Sequence, residues 1–340
     1  MKKKIIAALK VIIPLGFGLF LVWWFINGLS SSDKKDILAA FNDANYGWVL
    51  LSLLVATLSH VSRAYRWKYT LEPLGYQPRF ANSFFSVMIG YLVNLAVPRL
   101  GELTRCGVMA RYEKAPFEKL LGTVIAERVA DAIILAAVTT TVIFLQYEVI
   151  QELLNDIFST YAGKISGTTV LVFLLLAFLA GVGTLIFVFR VKTSNAFILA
   201  IQKVMKGIVE GVISILKMRQ KWAFIGHTVF IWVAYLLMFY ICFFALPQTS
   251  DVPFAGVLTG FVLGGITIAL TNGGIGAYPI AIQTILLLYD IDKNIGGAFG
   301  WIVWTAQTAL ILVLGALAFW LMPMYNRKYP KHEPSGIAQA

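Results

Sequence analysis

Charge is scarce in this 340-residue chain: Asp, Glu, Lys and Arg supply 13% of it, against 59% hydrophobic residues. A soluble domain carries about 25% charged residues, so a globular fold surrounded by water is excluded. Cysteine is nearly absent as well. Cys106 and Cys242 stand alone, one in a basic loop and one in an apolar run, with no disulfide or metal spacing. His60, His227 and His332 are too scattered to make a metal site, and no cofactor is expected. No polar stretch is long enough for a catalytic domain; the longest, 190–221, is itself amphipathic. Nor does the chain show the alternating segments of about 10 residues that build a membrane β-barrel.

What it has is a series of apolar runs close to the roughly 20 residues a helix needs to cross a bilayer. The expected fold class is all-α and polytopic. The net charge of +11 comes from basic residues lying between those runs, which points to cytoplasmic loops and anionic headgroups rather than nucleic acid. Met1-Lys2-Lys3-Lys4 precedes an apolar run from Ile5 to Ile26. That run exceeds the apolar core of a signal peptide, so an uncleaved anchor with the N-terminus inside is expected. Further crossings are expected at 46–61, 120–147, 167–189, 222–246 and 300–322. Between 190 and 221 apolar residues recur at helical spacing opposite lysines, as in a helix lying flat on the inner leaflet.

Two apolar runs do not read as simple crossings. Phe80–Val97 arrives at Pro98-Arg99-Leu100-Gly101-Glu102-Leu103-Thr104-Arg105, where proline removes an amide donor and glycine loosens the backbone. Phe254–Leu270 runs into Thr271-Asn272-Gly273-Gly274-Ile275-Gly276-Ala277-Tyr278-Pro279. As re-entrant hairpins, 80–110 would enter from the cytoplasm and 254–290 from outside. Only Lys34, Lys35, Lys164 and Lys293 of the 28 lysines and arginines then fall in outer segments. The positive-inside bias therefore favours six full spans plus two hairpins, N-in and C-in; reading both runs as spans disturbs only the middle of the chain and stays open. The chain divides into 1–45 (anchor span and outer loop), 46–147 (first repeat), 148–221 (span and interfacial helix), 222–326 (second repeat) and 327–340 (cytoplasmic tail). Each repeat runs crossing, hairpin, crossing, in opposite directions. Such inverted repeats with broken helices are a transporter architecture, with substrate held where the breaks meet.

Candidate site residues cluster at these breaks. Arg99 and Arg105 offer forked donors that match phosphate oxygens in two-point contacts. Glu102 precedes Arg105 by three residues, so the two form either a structural pair or a relay. Asn94, one turn before Pro98, can bind freed backbone groups or a ligand. Glu127 and Asp131 share a helix face with Arg128 beside them, a group that either locks helices together or hands on cations and protons. Arg63 and Arg66 are expected at the inner headgroup level. At the second break Gly274 and Gly276 let amides face an anion, with Asn272 and Tyr278 adding polar tips; close glycine packing is the plainer use.

Three motifs in order, Arg63-x-x-Arg66-Trp67, Asn94-x-x-x-Pro98-Arg99-x-Gly101-Glu102-x-x-Arg105 and Glu127-Arg128-x-x-Asp131, resemble the lysylphosphatidylglycerol synthase transmembrane family, also described as flippase-like. The late motif departs from that family's usual pattern: Asn272-Gly273 stand where proline is common, and Ala277-Tyr278 replace an acidic residue. The resemblance covers nearly the whole chain and implies a multi-pass protein of the bacterial inner (cytoplasmic) membrane. It implies movement of an anionic or aminoacylated phospholipid, or of a polyprenyl-phosphate-linked lipid, between leaflets. The soluble aminoacyl-transfer domain of the synthase is not expected here, so lysyl transfer by the chain alone is not expected either. The alternatives are a membrane enzyme acting on a lipid phosphate, with Glu127 or Asp131 as base, and a membrane partner of a lipid-modifying or glycosyl-transferring enzyme. Membrane lipids with anionic headgroups are the expected partners, with a second copy of the chain and a cytoplasmic lipid-modifying enzyme as further candidates.

Overall fold

Ser30 opens the first described helix through a reciprocal cap. Its hydroxyl accepts the Asp33 N–H at 3.1 Å, and the Asp33 carboxylate accepts the Ser30 N–H at 2.8 Å. This cap satisfies two donors that a helix start otherwise leaves bare. Helix α1 (Ser31–Asp43) is short and polar, and α2 (Tyr46–Leu71) follows, with the Asn45 side chain accepting the Gly47 N–H at 3.0 Å. The computed structural model describes residues 27–148, 215–271 and 273–329, with Phe20, Trp23, Gln151, Val172, Leu176 and Leu199. The expected crossings at 5–26 and 167–189 and most of the expected helix at 190–221 lie outside these residues, as do Asn272 and His332.

Among the described residues there is no strand, and four helices are long and apolar enough to cross a membrane. These are α2, α5 (Phe117–Leu145), α6 (Lys221–Cys242) and α9 (Lys293–Lys328). Between them lie two pairs of shorter helices. One is α3 (Phe80–Ala96) with α4 (Leu100–Glu113), the other α7 (Phe254–Leu270) with α8 (Ala277–Leu287). At 1.5 Å per residue, the 17 residues of α3 or α7 reach about 26 Å, short of the ~30 Å hydrocarbon core.

The chain divides into two units, Met1–Val124 with Met218–Ala340, and Ile125–Lys217. In the first unit α2 and α6 run antiparallel and are tied at both ends. The Asn45 N–H donates to the Ala245 carbonyl at 2.7 Å, and the Gln220 side chain donates to the Glu72 carboxylate at 3.1 Å. One core gathers Ala64 and Trp67 of α2, Val87 and Met88 of α3, Cys106 and Met109 of α4, and Ala318 and Met322 of α9. A second gathers Phe239 and Cys242 of α6, Tyr278 and Ile282 of α8, and Phe299 of α9.

Helix α9 is the shared wall. Toward its start, a Cβ on Gly300 would lie 2.8 Å from Pro279 of α8; further on, one on Gly315 would lie 2.6 Å from Leu92 of α3. Both pairs of short helices therefore pack on the same long helix through glycine, which lets backbones approach closely where lipid offers no hydrophobic drive. The sequence marked 300–322 as the last crossing, but the helix extends beyond at both ends. Asp292 starts it by accepting the Asn294 N–H at 2.8 Å, a polar signal that hydropathy does not register. The return arm of the first pair likewise reaches Glu113 rather than stopping at 110. Glu113 is buried there, paired with Arg79 at 3.3 Å, and Asn82 and Asn326 complete the cluster with a 2.7 Å bond between them.

Candidate functional site

The first break is a left-handed corner. Val97 is extended, and Arg99 has φ 65° as the cap of α4, a conformation that costs a non-glycine residue roughly 1 kcal/mol. Asn94 holds the corner by accepting the Gly101 N–H at 2.7 Å. Helix α4 then folds back on α3 at a glycine crossing, where a Cβ on Gly101 would lie 2.2 Å from the Gly90 carbonyl oxygen. Arg99 is exposed at this corner and Glu102 is half-buried.

The second break uses glycine in place of strain. Gly273, Gly274 and Gly276 have φ of 64°, 77° and 70°, where side chains are disfavoured. Trp304 of α9 donates its indole N–H to the Gly273 carbonyl at 2.8 Å, and the Thr271 hydroxyl accepts the Gly274 N–H at 3.1 Å. Tyr278 turns away from the break into the apolar core, seated so close to Gly264 that a Cβ there would lie 2.7 Å from its ring. Gly274 and Gly276 are buried.

The two breaks meet. A Cβ on Gly273 would lie 3.5 Å from the Leu95 side chain, ordinary van der Waals contact.

The other predicted arginines sit inside the protein. Arg63 and Arg66, expected at the headgroup level, are both buried in the contact between α2 and α6. Arg66 donates to the Thr228 hydroxyl at 3.0 Å and lies over the Phe224 ring, while Arg63 donates to the Tyr235 hydroxyl at 3.2 Å. Arg105 is also buried, stacked 3.7 Å over the Trp67 ring. Trp67 is itself fixed by donating to the Thr123 hydroxyl at 2.8 Å. In the second unit, Glu127 and Asp131 of α5 are buried, and Arg128 lies 3.6 Å from Asp131.

Residues that the sequence did not single out carry much of this geometry. Trp304 caps the second break, and Thr228 and Tyr235 receive the α2 arginines. His227 bonds Ser62 at 2.8 Å, while His60 packs on the Tyr91 ring on another face of α2. The spacing of Arg63, Arg66 and Trp67 along one helix was the available signal. The hydroxyls they donate to, on Tyr235, Thr228 and Thr123, lie more than 50 residues away, where no local pattern reaches.

A family model for the lysylphosphatidylglycerol synthase TM region matches residues 7–322. The chain belongs to this family. A UPF0104 membrane protein of Methanocaldococcus jannaschii is 31% identical over 110 residues, 32% of this chain and 33% of that protein. The match thus spans about a third of that curated relative. No solved structure matches the chain. Membership and the apolar helices make it a multi-pass membrane protein, related to lipid chemistry through the lysylphosphatidylglycerol synthase TM region.

Proposed function

We propose that this lysylphosphatidylglycerol synthase TM-region protein carries a lipid between leaflets, with the headgroup passing the place where the two helix breaks meet. The cargo class is an anionic or aminoacylated phospholipid, or a polyprenyl-phosphate-linked lipid. The observation that carries the reading is the approach of Gly273 to Leu95, where a Cβ on the glycine would lie 3.5 Å from the leucine side chain, with both interrupted helix pairs packed on α9. Interrupted backbone at membrane depth is tolerated only where protein covers it or a cavity needs it, and transporters bind substrate at such places.

In this reading the pairs α3–α4 and α7–α8 are re-entrant hairpins, from the inner and outer faces, in two inverted repeats. Arg99 contacts the phosphate in a two-point fork, with Glu102 as the neighbouring relay group. Asn94 and Gly101 keep the corner closed, and Gly274 and Gly276 let the opposite corner bend. Arg63, Arg66 and Arg105 are further phosphate-binding candidates in this reading. Glu127, Arg128 and Asp131 are the coupling group.

The test is headgroup translocation of fluorescent phosphatidylglycerol by the full chain in liposomes, followed by quenching from outside. The wild type is expected to expose lipid faster than empty liposomes, and Arg99→Gly to return the rate to background. Equal rates for wild type, variant and empty liposomes would overturn the reading.

A further inference from the structure

A groove between α2 and α6 lies away from the breaks. It has a volume of about 500 Å³ and is lined by Leu58, Val61 and Tyr65 of α2, by Gly226 and Phe230 of α6, and by the Ser62–His227 pair. A volume of this size falls within the range of small-molecule sites. None of these residues belongs to either break.

The groove is polarised along its length. Leu58 and Phe230 give one end apolar walls, and both side chains are exposed to the surroundings of the helices. At the other end Tyr65 stacks on the His227 ring, with centroids 5.6 Å apart, and the Lys68 ammonium lies 5.9 Å from the Tyr65 ring. Beside that end Trp222 is 75% exposed, with the Lys221 ammonium 5.9 Å from its ring. Exposed tryptophan and lysine at a helix end are the usual anchors at the headgroup level. Ser62 and Nδ1 of His227 share a 2.8 Å hydrogen bond in which either can donate, and in the tautomer where Ser62 donates the ring offers its Nε2 N–H. Apolar walls below and cationic, hydroxyl and N–H groups above match one amphiphile, a phospholipid with a net negative headgroup.

We propose that this groove is a binding site for an anionic phospholipid, with one acyl chain along Leu58, Val61 and Phe230 and the phosphate at Lys68, Tyr65 and His227. It rests on the membrane setting alone and stands whether or not the breaks carry lipid. The Ser62–His227 pair serves here as a headgroup contact.

Gly226 supplies a clean test, because a Cβ there meets nothing within 4 Å. Gly226→Leu therefore adds a side chain to the groove wall at a position with room for its Cβ, and Gly107→Leu, at another glycine with nothing within 4 Å, is the control. The full chain is loaded with dioleoyl phosphatidylglycerol or phosphatidylcholine, and retained lipids are counted by native mass spectrometry. Wild type and Gly107→Leu are expected to keep one more phosphatidylglycerol than Gly226→Leu. Lys68→Gln is expected to keep a lipid in the groove but to lose about fivefold in preference for phosphatidylglycerol over phosphatidylcholine. Equal counts in wild type and Gly226→Leu would overturn the site. Indifference of the wild type to headgroup charge would overturn the anionic assignment. Displacement of the lipid by soluble glycerol 3-phosphate would show a free-phosphate site and overturn the lipid, and release of lyso-lipid would show that the Ser–His pair cleaves rather than holds. Loss of headgroup translocation with the groove lipid still retained bears on the carrier alone.

Discussion

The two breaks solve one problem with opposite materials. At the first, charge crowds the corner: Arg99 is held at φ 65°, Asn94 binds the backbone, and α4 leaves as a polar helix with Arg105 stacked on Trp67. At the second, three glycines at positive φ make the turn, and α8 leaves as an apolar helix whose one phenol, Tyr278, is turned into the core. Two symmetric corners would both need binding groups or both need none. The contrast suggests a division of labour, one corner supplying electrostatics and the other supplying bend.

That contrast can be broken first at its support. Trp67→Ala removes a fully buried ring, the face under Arg105 and the bond to Thr123, and is expected to cost about 3–5 kcal/mol in thermal unfolding in micelles. An unchanged melting temperature would mean that the first corner does not lean on this ring.

Next comes the glycine crossing. Gly101→Ala drives a methyl into the Gly90 carbonyl and is expected to destabilise by about 1–3 kcal/mol. Gly107→Ala, on the same helix with open space around it, is expected to be neutral or to stabilise by up to about 1 kcal/mol. Similar losses for both would remove the special place of Gly101.

The corners themselves separate at the next level. Trp304→Phe deletes the N–H that caps Gly273 and is expected to cost about 1 kcal/mol, read as a lower melting temperature. Arg99→Gly relaxes a left-handed residue and is expected to gain about 1 kcal/mol while losing translocation. A less stable Arg99→Gly protein would show that the arginine holds the corner rather than the cargo.

The smallest effect lies at the aqueous end of α9. The Asn294 amide, followed by the Ser30 backbone and hydroxyl, holds the Asp33 carboxyl below its ordinary value of 3.8. A lowered folded pKa stabilises above the unfolded value and loses that contribution as pH falls through the folded one. The stability difference between wild type and Asp33→Asn is therefore expected to be constant near neutrality and to shrink only in strong acid. A difference that changes between pH 6 and pH 8 would contradict this.

Much of the fold could be read before any coordinates. The positions of the long helices followed from apolar runs, and both interruptions followed from Pro98 and the glycines at 273–276. Partners across the chain could not be read. Arg63 and Arg66 look like surface charges in sequence because nothing local reveals Thr228 and Tyr235, more than 160 residues away. Tyr278 looked like a polar tip because the void beside Gly264 that receives its ring is formed by another helix. Trp304 and the Ser62–His227 pair were missed for the same reason: each has a role only once two distant helices pack.

The meeting of the two corners is tested most directly by joining them. With Cys106 and Cys242 replaced by alanine, cysteines at Leu95 and Gly273 are linked in liposomes by a short bis-methanethiosulfonate, which forms a disulfide with each thiol as methanesulfinate leaves, while headgroup translocation is followed. Efficient linking that stops translocation, restored when the link is cleaved, is the expected result. Failure to link, or translocation continuing at full rate through linked protein, would contradict a gate built from both corners.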